Sequence, residues 1–131
     1  MKEFSWPVRV YYEDTDAGGV VFYANYLKFF ERARTEMLRS FGFEQDQLIA
    51  EENIIFVVRS VEVDYLKPAR FNEQIEVGAK IIEKKRTSLI FEQVITRKQD
   101  VLCNGKIRIA CLDAESMRPK PIPIAILEQL T

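Results

Sequence analysis

From residue 23 to residue 41 the apolar positions Tyr26, Phe29, Phe30, Ala33, Met37 and Phe41 recur at the three-and-four spacing of one helical face. Lys28, Glu31, Arg32, Arg34, Glu36 and Arg39 fall between them and are expected to face elsewhere. The spacing predicts a helix of about five turns. Gly42 follows directly and suits a left-handed stop, while Arg39 in the last turn complements the negative end of the helix dipole. Residues 44–51 are expected to form a short second helix, anchored only by Leu48 and Ile49.

Ahead of the long helix, residues 7–12 read as a first strand rich in Val and Tyr, broken by Glu13-Asp14-Thr15-Asp16 and by Gly18-Gly19. After Asn53 the period changes to two. Val57, Val61, Val63 and Tyr65 alternate with polar residues; so do Ile75, Val77, Ala79 and Ile81, then Leu89, Phe91 and Ile95, and finally Val101, Cys103, Ile107, Ile109 and Cys111. The segments Glu83-Lys84-Lys85-Arg86-Thr87 and Arg97-Lys98-Gln99-Asp100 are short and polar, which predicts antiparallel hairpins. Lys67-Pro68-Ala69-Arg70-Phe71-Asn72 is a longer turn. The order β-α-β-β-β-β predicts an α+β domain spanning residues 1–131, an antiparallel sheet wrapped around one long central helix. Pro119, Pro121 and Pro123 make the approach to residues 124–130 irregular, and these are expected to end the chain in a short helix.

The 131 residues, 47% of them hydrophobic, suffice for one ordinary core. Nineteen basic and twenty acidic residues give a net charge of -1, so no global field draws the chain to nucleic acid or to an anionic membrane. No apolar run approaches the roughly 18 residues of a membrane span. The start, with Lys2, Glu3 and Trp6-Pro7, lacks the apolar core of a secretion signal, and a cytoplasmic protein is expected. Cys103 and Cys111 share one predicted strand, which sets them roughly 26 Å apart at about 3.3 Å per residue. A disulfide needs Cα atoms within about 7 Å, so both are expected to be buried free thiols.

The chain contains no histidine. That excludes Ser-His-Asp and Cys-His nucleophilic machinery and the usual zinc sites, and leaves carboxylates, backbone dipoles and hydroxyls. The junction from Asp16 to Tyr26 combines two of these. A helix N-terminus carries unpaired N–H groups and about half a positive charge, which stabilise a polarised carbonyl oxygen, while a nearby carboxylate can attack or deprotonate. A plainer reading of Asp16 is a turn cap, accepting backbone N–H groups. Asp14 reads as structural, Asn25 as ordering the helix start through its amide, and Tyr26, Phe29 and Phe30 as core. Glu31 with Arg34 and Arg32 with Glu36 have the spacing of helix-surface ion pairs.

The run Arg9-Val-Tyr-Tyr-Glu-Asp-Thr-Asp16-Ala-Gly-Gly-Val-Val-Phe-Tyr-Ala-Asn25-Tyr26 closely resembles the signature of the 4-hydroxybenzoyl-CoA thioesterase family of hotdog-fold proteins, and the resemblance extends over nearly the whole chain. Glu31-Arg32-Ala33-Arg34-Thr35-Glu36 and Phe56-Val57-Val58-Arg59 look most like the members associated with the bacterial Tol-Pal system. The resemblance implies a hotdog fold, hydrolysis of an acyl-CoA thioester to free acid and CoA, and active sites at a dimer interface, often within a tetramer. The motif's catalytic aspartate maps onto Asp16. The position whose backbone N–H polarises the thioester carbonyl maps onto Tyr23, where Tol-Pal-associated members usually carry histidine and the 4-hydroxybenzoyl branch carries tyrosine.

No metal or redox cofactor is expected, coenzyme A being part of the substrate. Gly19 and Phe22 are expected beside the acyl group. Arg59, a charge on an otherwise apolar strand parity, must be paired or reach an edge, an interface or the ligand. Arg86, Thr87 and Ser88 belong to a hairpin that either meets the phosphates and pantetheine arm of CoA or is simply a solvated turn. A second reading is a hotdog module that docks acyl carrier protein or phospholipid-synthesis enzymes and hydrolyses thioesters only incidentally.

Overall fold

The computed structural model describes residues 3–130. The elements in chain order are β1 (Glu3–Arg9), α1 (Asn25–Ser40), α2 (Gln45–Gln47), β2 (Ile54–Tyr65), β3 (Gln74–Lys84), β4 (Ser88–Arg97), β5 (Asp100–Asp113) and α3 (Ile124–Gln129). The strands form one antiparallel sheet in the order β1-β3-β4-β5-β2. Tyr26, Phe29, Phe30, Ala33 and Met37 of α1 are buried, as are Ile75, Val77, Ala79, Ile81, Leu89, Phe91, Ile95, Ile107 and Ile109 of the strands, so the core lies between the helix and one sheet face.

The first strand lies earlier than the pattern suggested. It ends at Arg9, and Tyr12–Asp14 instead forms a 3-10 turn fastened by the Tyr11 N–H donating to Asp14 Oδ2 at 2.8 Å. Pro7 is tolerated within β1 because β1 is an edge strand. The helix stops as expected: Gly42 takes φ +92°, and the Phe43 N–H donates back to the Leu38 carbonyl at 3.0 Å. The second helix is shorter than expected, with α-helical Gln45–Gln47 passing into a π-helical turn at Leu48–Glu52. Leu48 is buried but Ile49 is exposed, leaving one apolar anchor.

β2 departs most from the sequence pattern. Phe56 pairs with Cys111 and Val58 with Ile109, but Ser60 pairs with Arg108 and Val61 with Ile107, so Arg59 is the extra residue of a bulge. The bulge switches parity: Phe56 and Val58 face the helix before it, Val61, Val63 and Tyr65 after it. Arg59 therefore does not interrupt an apolar face, and Val57 lies on the opposite face. As the outer strand, β2 leaves Val58, Val61 and Tyr65 exposed.

The helix surface also differs. Arg39 pairs with Glu36 and Glu44, and the Arg32 guanidinium lies 5.7 Å from the Phe29 ring centroid, in place of an Arg32–Glu36 pair. Arg34, expected on the polar side, is buried.

Cys103 and Cys111 are both buried and unbridged. Burial pushes the Cys103 thiol up to about 12 and the Cys111 thiol up to about 11. A thiol-reactive disulfide reagent is expected to titrate neither in the native protein at neutral pH and both after denaturation. Rapid native labelling would show that the strand opens.

Candidate active site

Residues 10–23 build a small ribbon. After the 3-10 turn the chain reverses at Asp16–Gly19 and returns antiparallel to itself through a bridge between Thr15 and Val21. The Asp16 N–H donates to the Val20 carbonyl at 2.9 Å and the Gly19 N–H to the Asp16 carbonyl at 3.0 Å. Gly19 takes φ +77°, a conformation that side chains disfavour, so the turn itself demands glycine. The Gly18 N–H donates to Asp16 Oδ1 at 2.8 Å, and a Cβ at Gly18 would stand 3.2 Å from that same oxygen. Asp16 is exposed, and its Oδ2 accepts no hydrogen bond from the described residues. Turn capping thus occupies one oxygen of this carboxylate and leaves the other open.

The return strand feeds α1 through Asp14. The Asp14 carbonyl accepts the Phe22 N–H at 3.0 Å and the Asn25 side-chain amide at 2.8 Å, with both Asp14 and Asn25 buried. The structural parts expected of these two residues are realised in this contact. Ala24 is the helix N-cap and has no capping side chain, so the entry is fixed instead by Asn25, whose own N–H donates to the Phe22 carbonyl at 2.8 Å. The helix begins at Asn25 rather than Tyr23. The Tyr23 N–H lies just ahead of it, at the positive end of a 16-residue dipole, and has no partner among the described residues.

A second set of bonds ties the ribbon to the turn between β2 and β3. The Ala69 N–H donates to Tyr26 Oη at 2.9 Å, the Val21 N–H to the Ala69 carbonyl at 2.8 Å, and the Phe71 N–H to the Gly19 carbonyl at 3.2 Å. Burial raises the pKa of the Tyr26 phenol, which stays protonated at neutral pH. The rim is aromatic: Phe22 and Tyr23 are exposed with centroids 4.7 Å apart, and Tyr65 meets Tyr23 edge-on at 6.3 Å. Cys103 lies close enough to Tyr26 and Tyr65 for its charge to act on them, but burial raises its own pKa and keeps it a neutral thiol rather than a nucleophile.

The structure brings Asp16, Gly19, Phe22 and Tyr23 together on this ribbon. It does not bring Arg86, Thr87 and Ser88 to it. These occupy the hairpin at the far end of β3, roughly 33 Å away along its 11 residues. There the Arg86 carbonyl accepts the Ile122 N–H and the Thr87 carbonyl the Cys111 N–H, each at 2.8 Å, and Ser88 is buried. Arg59 is exposed in the β2 bulge, also away from the ribbon. Sequence reasoning missed the buried Arg34 and its partner Gln93. A polar residue on the apolar parity of β4 was the available sign for Gln93.

An antiparallel five-stranded sheet packed on one long helix is the hotdog fold, here that of an enzyme of the thioester-hydrolase class. Residues 18–104 match the thioesterase superfamily. The acyl-CoA thioester hydrolase YbgC of Escherichia coli O6:H1 is 46% identical over 127 residues, 96% of this chain and 94% of its own. The acyl-CoA thioesterase YbgC of Haemophilus influenzae is 45% identical over 120 residues, 92% and 88% of the two chains. A crystal structure of a probable thioesterase from Bartonella henselae superimposes with a TM-score of 0.89 at 34% identity, covering 93% of this chain and 100% of that one. The chain belongs to the thioesterase superfamily.

Proposed function

We propose that the protein hydrolyses acyl-CoA thioesters to the free acid and CoA, using Asp16 and the backbone N–H of Tyr23. The observation that carries this reading is the ribbon itself, whose turn holds a carboxylate oxygen and whose return strand holds, just ahead of α1, an amide, both without a partner among the described residues. The thioester carbonyl oxygen accepts the Tyr23 N–H. A well-placed donor of this kind is typically worth ~3 to 4 kcal/mol as negative charge develops. Asp16 Oδ2 then attacks the carbonyl carbon and expels the CoA thiolate, giving a mixed anhydride that water cleaves to the free acid and the restored carboxylate, or it removes a proton from a water that attacks the carbonyl directly and displaces the same thiolate. The thiolate is a good leaving group and needs no strong general acid, so a histidine-free site without metal or redox cofactor suffices. Gly19 lets the acyl group approach the backbone, and Phe22 flanks it.

The distance between the ribbon and the Arg86–Ser88 hairpin within one chain supports a site shared by two copies. β2 is an unpaired edge carrying exposed Val58 and Val61. Antiparallel pairing of two β2 edges sets the hairpin end of one copy beside the ribbon end of the other, so that Arg86, Thr87, Ser88 and Arg59 meet the CoA arm. Val61→Lys is expected to convert a dimer, or a tetramer built from it, to smaller species in sedimentation velocity. A parent protein that sediments as a monomer at all concentrations would rule out the shared site. A cytoplasmic setting accords with the two buried free thiols, and no helix among the described residues is long and apolar enough to cross a membrane.

The direct test is release of free CoA thiol from a series of acyl-CoAs of increasing chain length. Turnover of any member supports hydrolysis. No turnover of any member, with acyl carrier protein retained on the immobilised protein, would favour the docking-module reading.

A further inference from the structure

The turn between β2 and β3 does more than join two strands, because three of its residues hold the ribbon. The Ala69 carbonyl accepts the Val21 N–H, Val20 bridges to Arg70, and the Phe71 N–H donates to the Gly19 carbonyl. Ala69 is wholly buried, and its own N–H donates to Tyr26 Oη in the first turn of α1. Wherever this turn sits, residues 19–21 sit with it, and these lie in the chain between Asp16 and Tyr23.

The turn is held in its own place by one guanidinium from the end of β4. Arg97 Nη1 donates to the Pro68 carbonyl at 3.1 Å and to Glu73 Oε1 at 2.8 Å. The same Glu73 oxygen accepts the Arg70 N–H at 2.7 Å, so Pro68, Arg70 and Glu73 are gathered around Arg97. These anchors alternate along the chain with Ala69 and Phe71, which reach the ribbon. The Arg97 and Glu73 side chains are 23% and 29% exposed, against 55% and 53% for the Lys67–Asp100 pair that leaves the same turn. Solvent therefore screens the first pair less than the second. Both charges also act on the Tyr26 phenol, Arg97 lowering its pKa and Glu73 raising it, which places the pair close behind the helix entrance.

We propose that Glu73 and Arg97 are positioning residues for the reaction: their ion pair fixes the turn between β2 and β3 and, through it, the placement of the Asp16 carboxylate relative to the Tyr23 N–H. Both act through the turn rather than on the substrate. Placement matters because a shift of about 1 Å, even one caused far from the chemistry, can cost about 10² in rate. A carboxylate and an amide carried by one ribbon keep their separation only as well as the stretch between them is braced, and the brace lies at residues 19–21. The catalytic half of this inference rests on the hydrolytic reading given above; the bracing of the ribbon does not.

The test pairs kinetics with amide hydrogen exchange on the whole protein. On the fastest-hydrolysed member of a butyryl- to palmitoyl-CoA series, Arg97→Met is expected to lower kcat by about 10- to 100-fold and to leave KM within about threefold of the parent. Glu73→Met is expected to match it, and the double variant to lose no more than the worse single one, since both remove one contact. Glu73→Gln keeps an acceptor oxygen for Arg97 and for the Arg70 N–H, and is expected to retain kcat within about threefold. Lys67→Met removes only the exposed pair and is expected to behave as the parent does. Exchange at residues 16–23 is expected to quicken about tenfold or more in Arg97→Met, with residues 29–37 of α1 as protected as before. Should Arg97→Met lose its fold, α1 exchange reports it and the two Glu73 variants carry the test. A parent inert toward the whole series would defeat the hydrolytic reading and the catalytic half with it, while quickened exchange at residues 16–23 would still establish the brace. Undiminished kcat in Arg97→Met, with the parent active, would overturn this proposal and leave hydrolysis standing. So would a loss confined to KM, an equal loss in Lys67→Met, Glu73→Gln as impaired as Glu73→Met, or unchanged exchange at residues 16–23.

Discussion

Asp16→Asn is expected to lower acyl-CoA turnover by about 10²- to 10⁴-fold, the loss that accompanies removal of a positioned acid-base group. The substitution is sharp because the amide keeps an acceptor oxygen for the Gly18 N–H, which holds Oδ1 at 2.8 Å in the parent. The backbone bonds from Asp16 to Val20 and from Gly19 to Asp16 do not involve the side chain and should persist. What disappears is the negative charge on the oxygen that takes no part in the turn. The measurement is the rate of free-thiol release at saturating substrate, accompanied by a thermal melt. An unchanged melt with an unchanged rate would remove Asp16 from the chemistry.

Phe30→Ala is expected to cost ~3 to 5 kcal/mol of folding stability, read as a lowered urea midpoint with little change in slope. Phe30 is fully buried on the sheet-facing side of α1, and the structure has little freedom to close around its loss. A Cβ placed on Gly105 of β5 would stand 2.9 Å from Phe30 Cε2, so the ring lies directly over a residue without a side chain. This close approach sets how near the helix lies to the centre of the sheet. A variant within about 1 kcal/mol of the parent would mean that the helix resettles onto Gly105 and that the contact is less decisive than its geometry indicates.

Much of this arrangement was legible in the amino-acid pattern, because periodicity reports burial wherever an element is regular. The stripe Tyr26, Phe29, Phe30, Ala33, Met37 is the buried face of α1, and Ile75 through Ile81 are buried at alternate positions as read. The helix stop at Gly42 was legible because backbone sterics alone dictate it.

The failures have physical causes of a different kind. Adjacent valines at 57 and 58 fit either parity, so the bulge at Arg59 left no mark on the pattern. Arg34 was assigned outward because charge usually is, and only a partner 59 positions away, Gln93, makes its burial tolerable. At the site, the types and spacing of Asp16, Gly19 and Tyr23 could be read locally, since one ribbon carries them all. The position of the Arg86–Ser88 hairpin at the opposite end of β3 could not, because it depends on how the strands are laid across the sheet.

The single extra residue in β2 makes that strand tolerant of one change in length and intolerant of another. Were the chain one residue shorter at 59 or 60, the bulge would close into regular pairing, and Val61, Val63 and Tyr65 would keep their places opposite Ile107, Gly105 and Cys103. Were Glu62 removed instead, with the pairing to β5 kept up to Val61, everything beyond would turn over. Val63 and Tyr65 would be delivered to the solvent side, and Asp64 driven against the helix. Tyr65 would then leave Tyr23 and Tyr26, dismantling the aromatic rim of the ribbon. Shortening this edge beyond the bulge would therefore damage the site more than many exchanges of side chain within it.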